Sequence, residues 1–508
     1  MRPLDLFSKR ALRSLLPLVF GSLIGLVSAQ SEPVLELTLD EAMRIALDND
    51  LELASRSLDT QAAALNARGS WGSFDPVLSL TGSLSDSQSQ GATSLAGADV
   101  VENDSQTFNG SLSLPFQSGG TFRLDYGRSN DRTNNIFATF DVSTTDTVSL
   151  SFNQPLLRGG WRRYATLDQR DSQLTSSVAT QAEVELRHQL LLDVANAYWD
   201  LVRTSREVDV RLRAHELGER ALGQERRRLE LGAGTEVDVL QAETNLAQRD
   251  QEILRARFDR AQAEDTLRRR LFQSRGEDRE SALSRWDERI EPSTPLPKPQ
   301  PQVSTGDWRT ALARAIDARP SLVSARLEIE RSDLSVDRSR SGWLPRLDLD
   351  LSARSSGFDR VPDEAFDLAT SYDFPSYEGS LTFEMPLWNR SGRYSLRSAK
   401  VGARKARLAY EQAELAVLAE VRAGIRELEF QQLAIIAAEK SRELAERQLE
   451  AEEARRANGL STTFQVLEFQ QTLAEASSTE AAALASFAKA LAAMAHAEGR
   501  IDEWIRNR

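Results

Sequence analysis

Two hydrophobic periods organise this chain. In Val77–Ser85, Leu78, Leu80 and Leu84 fall on one face, and Ser79, Thr81, Ser83 and Ser85 on the other. Val148, Leu150 and Phe152 alternate in the same way with Ser149, Ser151 and Asn153. Further on, Leu347, Leu349, Leu351 and Ala353 alternate with Arg346, Asp348, Asp350 and Ser352, and Leu381, Phe383 and Met385 with Ser380, Thr382 and Glu384. Period two predicts strands with one apolar and one polar face, which suits a membrane barrel and an ordinary half-buried sheet equally. The second period is helical. Leu186, Leu190, Val194, Tyr198 and Leu201 recur every three to four residues, as do Leu408, Leu415, Leu418, Val421, Ile425 and Leu428, with Ala between them and solvated Arg and Glu on the other faces.

The lengths of the helical stretches predict an architecture. Trp161 to Leu231 contains no Pro, and as one helix would be about 105 Å long; Arg393 to Asn458 is nearly as long. Shorter helices are predicted over about Leu39–Arg68, Glu236–Phe272, Asp307–Arg340 and Thr463–Glu498. One helix before the strands and one after the turn together match one long helix. Stacked end to end beside it, they would make a cylinder of paired helices with strands at one end and turns at the other.

The chain is also written twice. Gly232-Ala-Gly-Thr-Glu-Val-Asp-Val-Leu-Gln returns 227 residues later as Gly459-Leu-Ser-Thr-Thr-Phe-Gln-Val-Leu-Glu. Each copy ends a long helical stretch that follows a strand closing in Pro-Leu, at Pro155-Leu156 and Pro386-Leu387. The predicted organisation is a first repeat over 30–272, with strands about 76–155 and the long helix and tip turn about 161–235. A linker over 273–306 follows, then a second repeat over 307–499, with strands about 345–387 and a tip turn at 459–462, and a tail over 500–508.

No predicted helix is apolar enough to span a bilayer, so any spanning is by strands. Two strands per repeat give four per chain, too few to close a barrel, so several chains would have to share one. A further hairpin, with Phe108, Leu112, Leu114 and Phe116 before Gly119-Gly120 and Phe122, Leu124 and Tyr126 after it, has no counterpart in the second half. We read this segment, about 106–130, as an extension beyond the wall, with two added wall strands as the alternative.

Charge and composition narrow the function. The formal net charge is -13; the first 29 residues carry +3 from Arg2, Lys9, Arg10 and Arg13 against Asp5, which leaves -16 for the rest. That excludes nucleic acid as a partner. Basic residues, the apolar run Leu15–Val27 and Val27-Ser28-Ala29 read as an export signal over 1–29. There is no Cys, hence no disulfide, thiol chemistry or lipidated cysteine. The three His, at 188, 215 and 496, have no metal-ligand spacing, and no nucleotide fingerprint is present. No enzyme and no cofactor is expected.

Taken together, the duplication, the motifs Gln154-Pro-Leu-Leu-Arg-Gly-Gly160 and Met385-Pro-Leu-Trp-Asn-Arg-Ser-Gly392, the run Ala197-Tyr198-Trp199-Asp200-Leu201 and the paired glycine turns resemble the TolC family of bacterial outer-membrane efflux proteins. The resemblance spans roughly Leu37 to Gly499. It implies a mainly α fold with membrane β: a duplicated helix-strand-strand-helix-turn-helix unit that assembles as a homotrimer. Its periplasmic α-helical barrel would be continuous with a shared transmembrane β-barrel of four strands per chain in outer-membrane lipid. Many relatives carry a lipidated N-terminal cysteine, which this chain lacks. The implied function is a passive exit duct fed by an inner-membrane RND or ABC pump through a periplasmic adaptor (membrane fusion protein). Type I protein secretion is the alternative cargo route, and a periplasmic coiled-coil adaptor without membrane insertion the alternative function.

The resemblance also implies sites. The adaptor would grip the tips, here Gly232, Ala233, Gly234 and Thr235, and Gly459, Leu460, Ser461 and Thr462. Glycine alone suffices for such a reversal, whereas an exposed Leu460 has no obvious structural purpose and is the better contact. The family closes its tunnel just beyond the turns, which maps to Glu236 and Asp238 and to Gln465 and Glu468. Copies of Asp238 and Glu468 around a narrow end would form cation-favouring acidic rings, although Asp and Glu also suit a helix N-terminus for its dipole. No Arg stands at the second tip, so gating through an arginine there is not expected. The linker's Pro292, Pro295, Pro297, Pro299 and Pro301 favour extended chain, either as a belt around the helices or as a tether.

Overall fold

The computed structural model describes residues 34–91, 97–273, 279–298 and 307–506. The export signal and linker residues Pro299 and Pro301 lie outside them. In order, the chain forms β1 (Val34–Leu37), α1 (Leu39–Asn49), α2 (Leu51–Gly69), β2 (Val77–Gln90), β3 (Val100–Pro115), β4 (Thr121–Thr133), β5 (Val142–Pro155), α3 (Trp161–Ala165), α4 (Leu167–Glu230) and α5 (Glu236–Leu271). The linker contributes α6 (Arg279–Ser284) and β6 (Arg289–Pro292). The second repeat forms α7 (Trp308–Ala318), α8 (Pro320–Trp343), β7 (Arg346–Asp359), α9 (Pro362–Thr370), β8 (Pro375–Glu384), α10 (Arg390–Ala457) and α11 (Thr463–Ala497), and α12 (Ile501–Arg506) follows.

Each helix expected before the strands is broken once, at matching places. Asp50 ends α1 and caps α2, its carboxylate accepting from the Leu53 amide. Arg319 ends α7 because Pro320 disfavours helix in the residue before it and suits the first helical position after it. The expected stacking is present. The carboxamide of Asn49 donates to the Leu271 carbonyl at 3.0 Å, and Gln273 joins Asp50 to the Leu51 amide, so α5 abuts the α1–α2 break. In the second repeat Arg314 pairs with Glu498 at 2.6 Å, so α11 abuts the α7–α8 break. These stacks flank α4, 64 residues and about 96 Å, and α10, 68 residues and about 102 Å.

The main core lies at the waist. Leu190, Leu191, Val194, Tyr198, Trp199 and Leu201 of α4 pack with Leu39, Met43, Leu267, Leu271 and Ile290. The Tyr198 hydroxyl donates to the Leu37 carbonyl at 2.9 Å and accepts from the Thr294 amide at 3.0 Å. Strand β6 pairs in parallel with β1 and buries Ile290. Over its described part the linker is therefore tied to the waist by β6 and by Thr294. The apolar stripe of α10 divides: Val421 is buried, while Leu408 and Leu415 are exposed on the single chain.

At the other end the strands form one antiparallel sheet in the order β2-β3-β4-β5-β7-β8. The hairpin β3–β4 thus lies inside the sheet, between β2 and β5, and not beyond it as the extension expected from the sequence. Its residues alternate in phase with their neighbours, and register carries Leu78, Leu112, Leu124, Leu150 and Ala353 across one face. Ser79, Ser111, Arg123, Ser151 and Ser352 lie on the other face. At the end remote from the helices the apolar face turns polar and is covered by α9. There Asp146, 0% exposed, accepts from the Tyr126 hydroxyl at 2.7 Å and from Arg128 at 2.9 and 2.8 Å. Phe366 of α9 meets the Tyr126 ring edge-on, and Ala365 and Ala369 are buried. A Cβ on Gly357 would lie 1.9 Å from the Ala365 carbonyl, so only glycine admits α9 there.

Candidate functional site

The two helix tips share one backbone solution. Gly232 and Gly459 take φ of 70° and 74°. Gly232 donates to the Leu229 carbonyl at 3.0 Å and Ala233 to that of Arg228 at 2.8 Å. Gly459 donates to Arg456 at 2.9 Å and Leu460 to Arg455 at 3.0 Å. These paired bonds satisfy the last carbonyls of each long helix and require a left-handed residue. Thr235 and Thr462 then start α5 and α11 with a reciprocal cap.

The candidate gate residues divide between capping and exposure. Asp238 accepts from the Thr235 hydroxyl at 2.6 Å and its amide at 3.2 Å. Gln465 holds the equivalent position, accepting from Ser461 at 3.0 Å and from Thr462 at 3.4 Å. Each stays within its own turn. Glu236 and Glu468 are exposed. Among the tip residues, Gly234 passes close to Arg228, Arg228 approaches the Ala233 carbonyl, and Ser461 bonds Glu452. Leu460 is 69% exposed. Also exposed are Leu231, at 81%, with Val237 and Leu240 just after the first turn and Phe464 just after the second. Their helical spacing had concealed them among ordinary surface positions.

Contacts between the two hairpins lie slightly further up, at residues the sequence did not single out. Glu225 of α4 forms a buried ion pair with Arg456 of α10. Arg249 of α5, also buried, donates to the Ala214 carbonyl and at 3.1 Å to Gln470 of α11. Gly218 leaves room for the Arg249 side chain. In sequence these Arg and Glu look like any solvated pair on a helix face.

A sheet with one apolar and one polar face, continuous with four columns of helix ending in paired tips, defines a membrane channel subunit. Residues 121–271 and 311–500 match the model of the outer membrane efflux protein family, and the chain belongs to that family. Its members are channels rather than enzymes, and the protein resides in the outer membrane and extends into the periplasm. The adaptor reading without membrane insertion therefore gives way. The fold is that of solved channels. OprN aligns at 17% identity and TM-score 0.64, covering 91% of this chain and 89% of that one. CmeC of Campylobacter jejuni aligns at 16% and 0.64, covering 91% and 86%. VceC of Vibrio cholerae aligns at 18% and 0.63, covering 91% and 96%. No curated protein matches the chain in sequence.

Proposed function

We propose that three copies of this chain form one passive duct that carries small molecules from an inner-membrane pump, through a periplasmic adaptor, to the cell exterior. The observation that carries this is the continuity of a two-faced sheet with helical columns in a single chain. A sheet with two free edges, β2 and β8, cannot stay open in lipid, and copies of itself close it. The family's description as efflux proteins supports an exit duct for an efflux system.

In this reading the exposed apolar tips, above all Leu460, dock the adaptor, and the closed state is held above them by Glu225–Arg456 and Arg249–Gln470. The docking role has a direct test. Leu460→Asp should abolish export while the detergent-purified protein keeps the mass of a trimer. Normal export by that variant would remove Leu460 from the docking surface.

A further inference from the structure

The hairpin β3–β4 has no helix beneath it. Strands β2, β5, β7 and β8 each run into a helix at the tunnel side, whereas β3 and β4 return on themselves at Phe116–Gly120. That return is built into the joint between wall and tunnel. The Ser118 hydroxyl donates to the Gln154 side chain at 2.9 Å, and the Gln154 carboxamide donates back to the Ser118 carbonyl at 2.9 Å. The same carbonyl accepts from the Trp161 amide at 2.7 Å, where the helical part of the first repeat begins. Gly119 has φ of 83°, and a Cβ there would lie 2.5 Å from the Gly159 carbonyl. Gly120 is equally tight against Gln154. The turn is seated on the strand-exit motif itself.

We infer that β3–β4 is a wall insert, and that the assembled barrel has eighteen strands, six from each of three chains. The inference rests on the threefold duct proposed above and departs from the four-strand share implied by the resemblance. At about 4.8 Å between strands and about 40° of tilt, each strand occupies roughly 6 Å of perimeter, and eighteen occupy about 110 Å. Twelve helix columns, four per chain, at about 8–10 Å between axes have a perimeter of roughly 100–120 Å. The insert thus matches the bore of the wall to that of the tunnel. It also adds Arg123 and Asp125 to the water-facing surface, because they share a face with Ser151 and Ser149. The membrane section then offers no constriction, and the periplasmic tips set what passes.

Two measurements on the full chain in lipid nanodiscs test this. Cryo-electron microscopy should resolve a threefold barrel of eighteen strands. A threefold particle with β3–β4 outside a smaller barrel would overturn the insert alone, and absence of threefold particles would overturn the duct as well. Single cysteines are clean probes in this cysteine-free chain. A charged maleimide should label Asn109→Cys and Asp125→Cys, which face water, and labelling should be lost at Leu112→Cys and Leu124→Cys, which face lipid. Labelling at all four positions would mean the hairpin stands in water and would overturn the insert.

Discussion

The two tips have the same backbone and different polar contents. Glu225 and Glu452 stand at equivalent places, each seven residues before its turn glycine, and both are buried, at 1% and 6% exposure. Glu225 reaches across to Arg456 of the other hairpin, whereas Glu452 is held within its own turn by Ser461. The duplicated scaffold therefore supplies the turn, and divergence inside it decides which carboxylate joins the hairpins. Breaking a buried pair from one side leaves an uncompensated charge, at about 3–5 kcal/mol. Losing a hydrogen bond within a turn costs about 1–2 kcal/mol. Glu225→Ala should accordingly lower hydrogen-exchange protection in both hairpins above the tips, and Glu452→Ala should lower it weakly and only in the second. Equal losses confined to each variant's own hairpin would erase the distinction.

A second contrast separates the tips from the seam that joins the repeats at the waist. There His188 of α4 lies in a buried site near His496 of α11, with Arg187 and Arg319 close by. Burial first, and then these positive neighbours, pull His188 down from 6.5 to about 4. Asp502 is 3.5 Å from His188 but is already paired with Arg187. In the same seam His496, with its Nδ1 3.8 Å away, and Arg319, paired at 2.6 Å, hold Glu420 at about 2, below its usual 4.5. The signs follow from linkage. Below 6.5 the unfolded chain protonates His188 and the folded chain does not, so stability falls as pH drops from about 6.5 to about 4, by about 3 kcal/mol at most. The Glu420 contribution is complete above 4.5 and is lost as pH falls toward 2. Thermal unfolding of His188→Leu should lose the first of these slopes and keep the second. An unchanged profile between pH 6.5 and 4 would show that the slope arises elsewhere.

What could be read in the sequence follows from how local each signal is. Alternation at Leu78–Leu84 and Val148–Phe152 depends only on neighbours, so the wall and its faces were legible. The stacking of α5 on the α1–α2 break was legible from lengths alone. The place of β3–β4 was not, because alternation says that a hairpin exists and not which strands flank it. Helix α9 was missed because nine residues between two strands look like a loop, and its anchor, Gly357, is just one more glycine in a strand. Glu225 and Arg456 were hidden by composition: on faces crowded with Arg and Glu, burial of two of them is decided by how separate helices pack.

The smallest effect makes the sharpest use of the duplication. The second tip already carries Gln465 where the first has Asp238, and both side chains accept from their capping threonine. Asp238→Gln therefore rewrites the first tip as the second. As a cap the change should cost about 1 kcal/mol or less, because the hydrogen bonds have a working precedent and only the charge at the helix N-terminus is lost. If copies of Asp238 form an acidic ring with Glu468 around the narrow end, the same substitution should reduce cation preference in planar-bilayer recordings, and further with Glu468→Gln. Unchanged selectivity in both variants would assign Asp238 to the cap alone. The first tip's charge would then serve folding, and selectivity would have to arise above the tips.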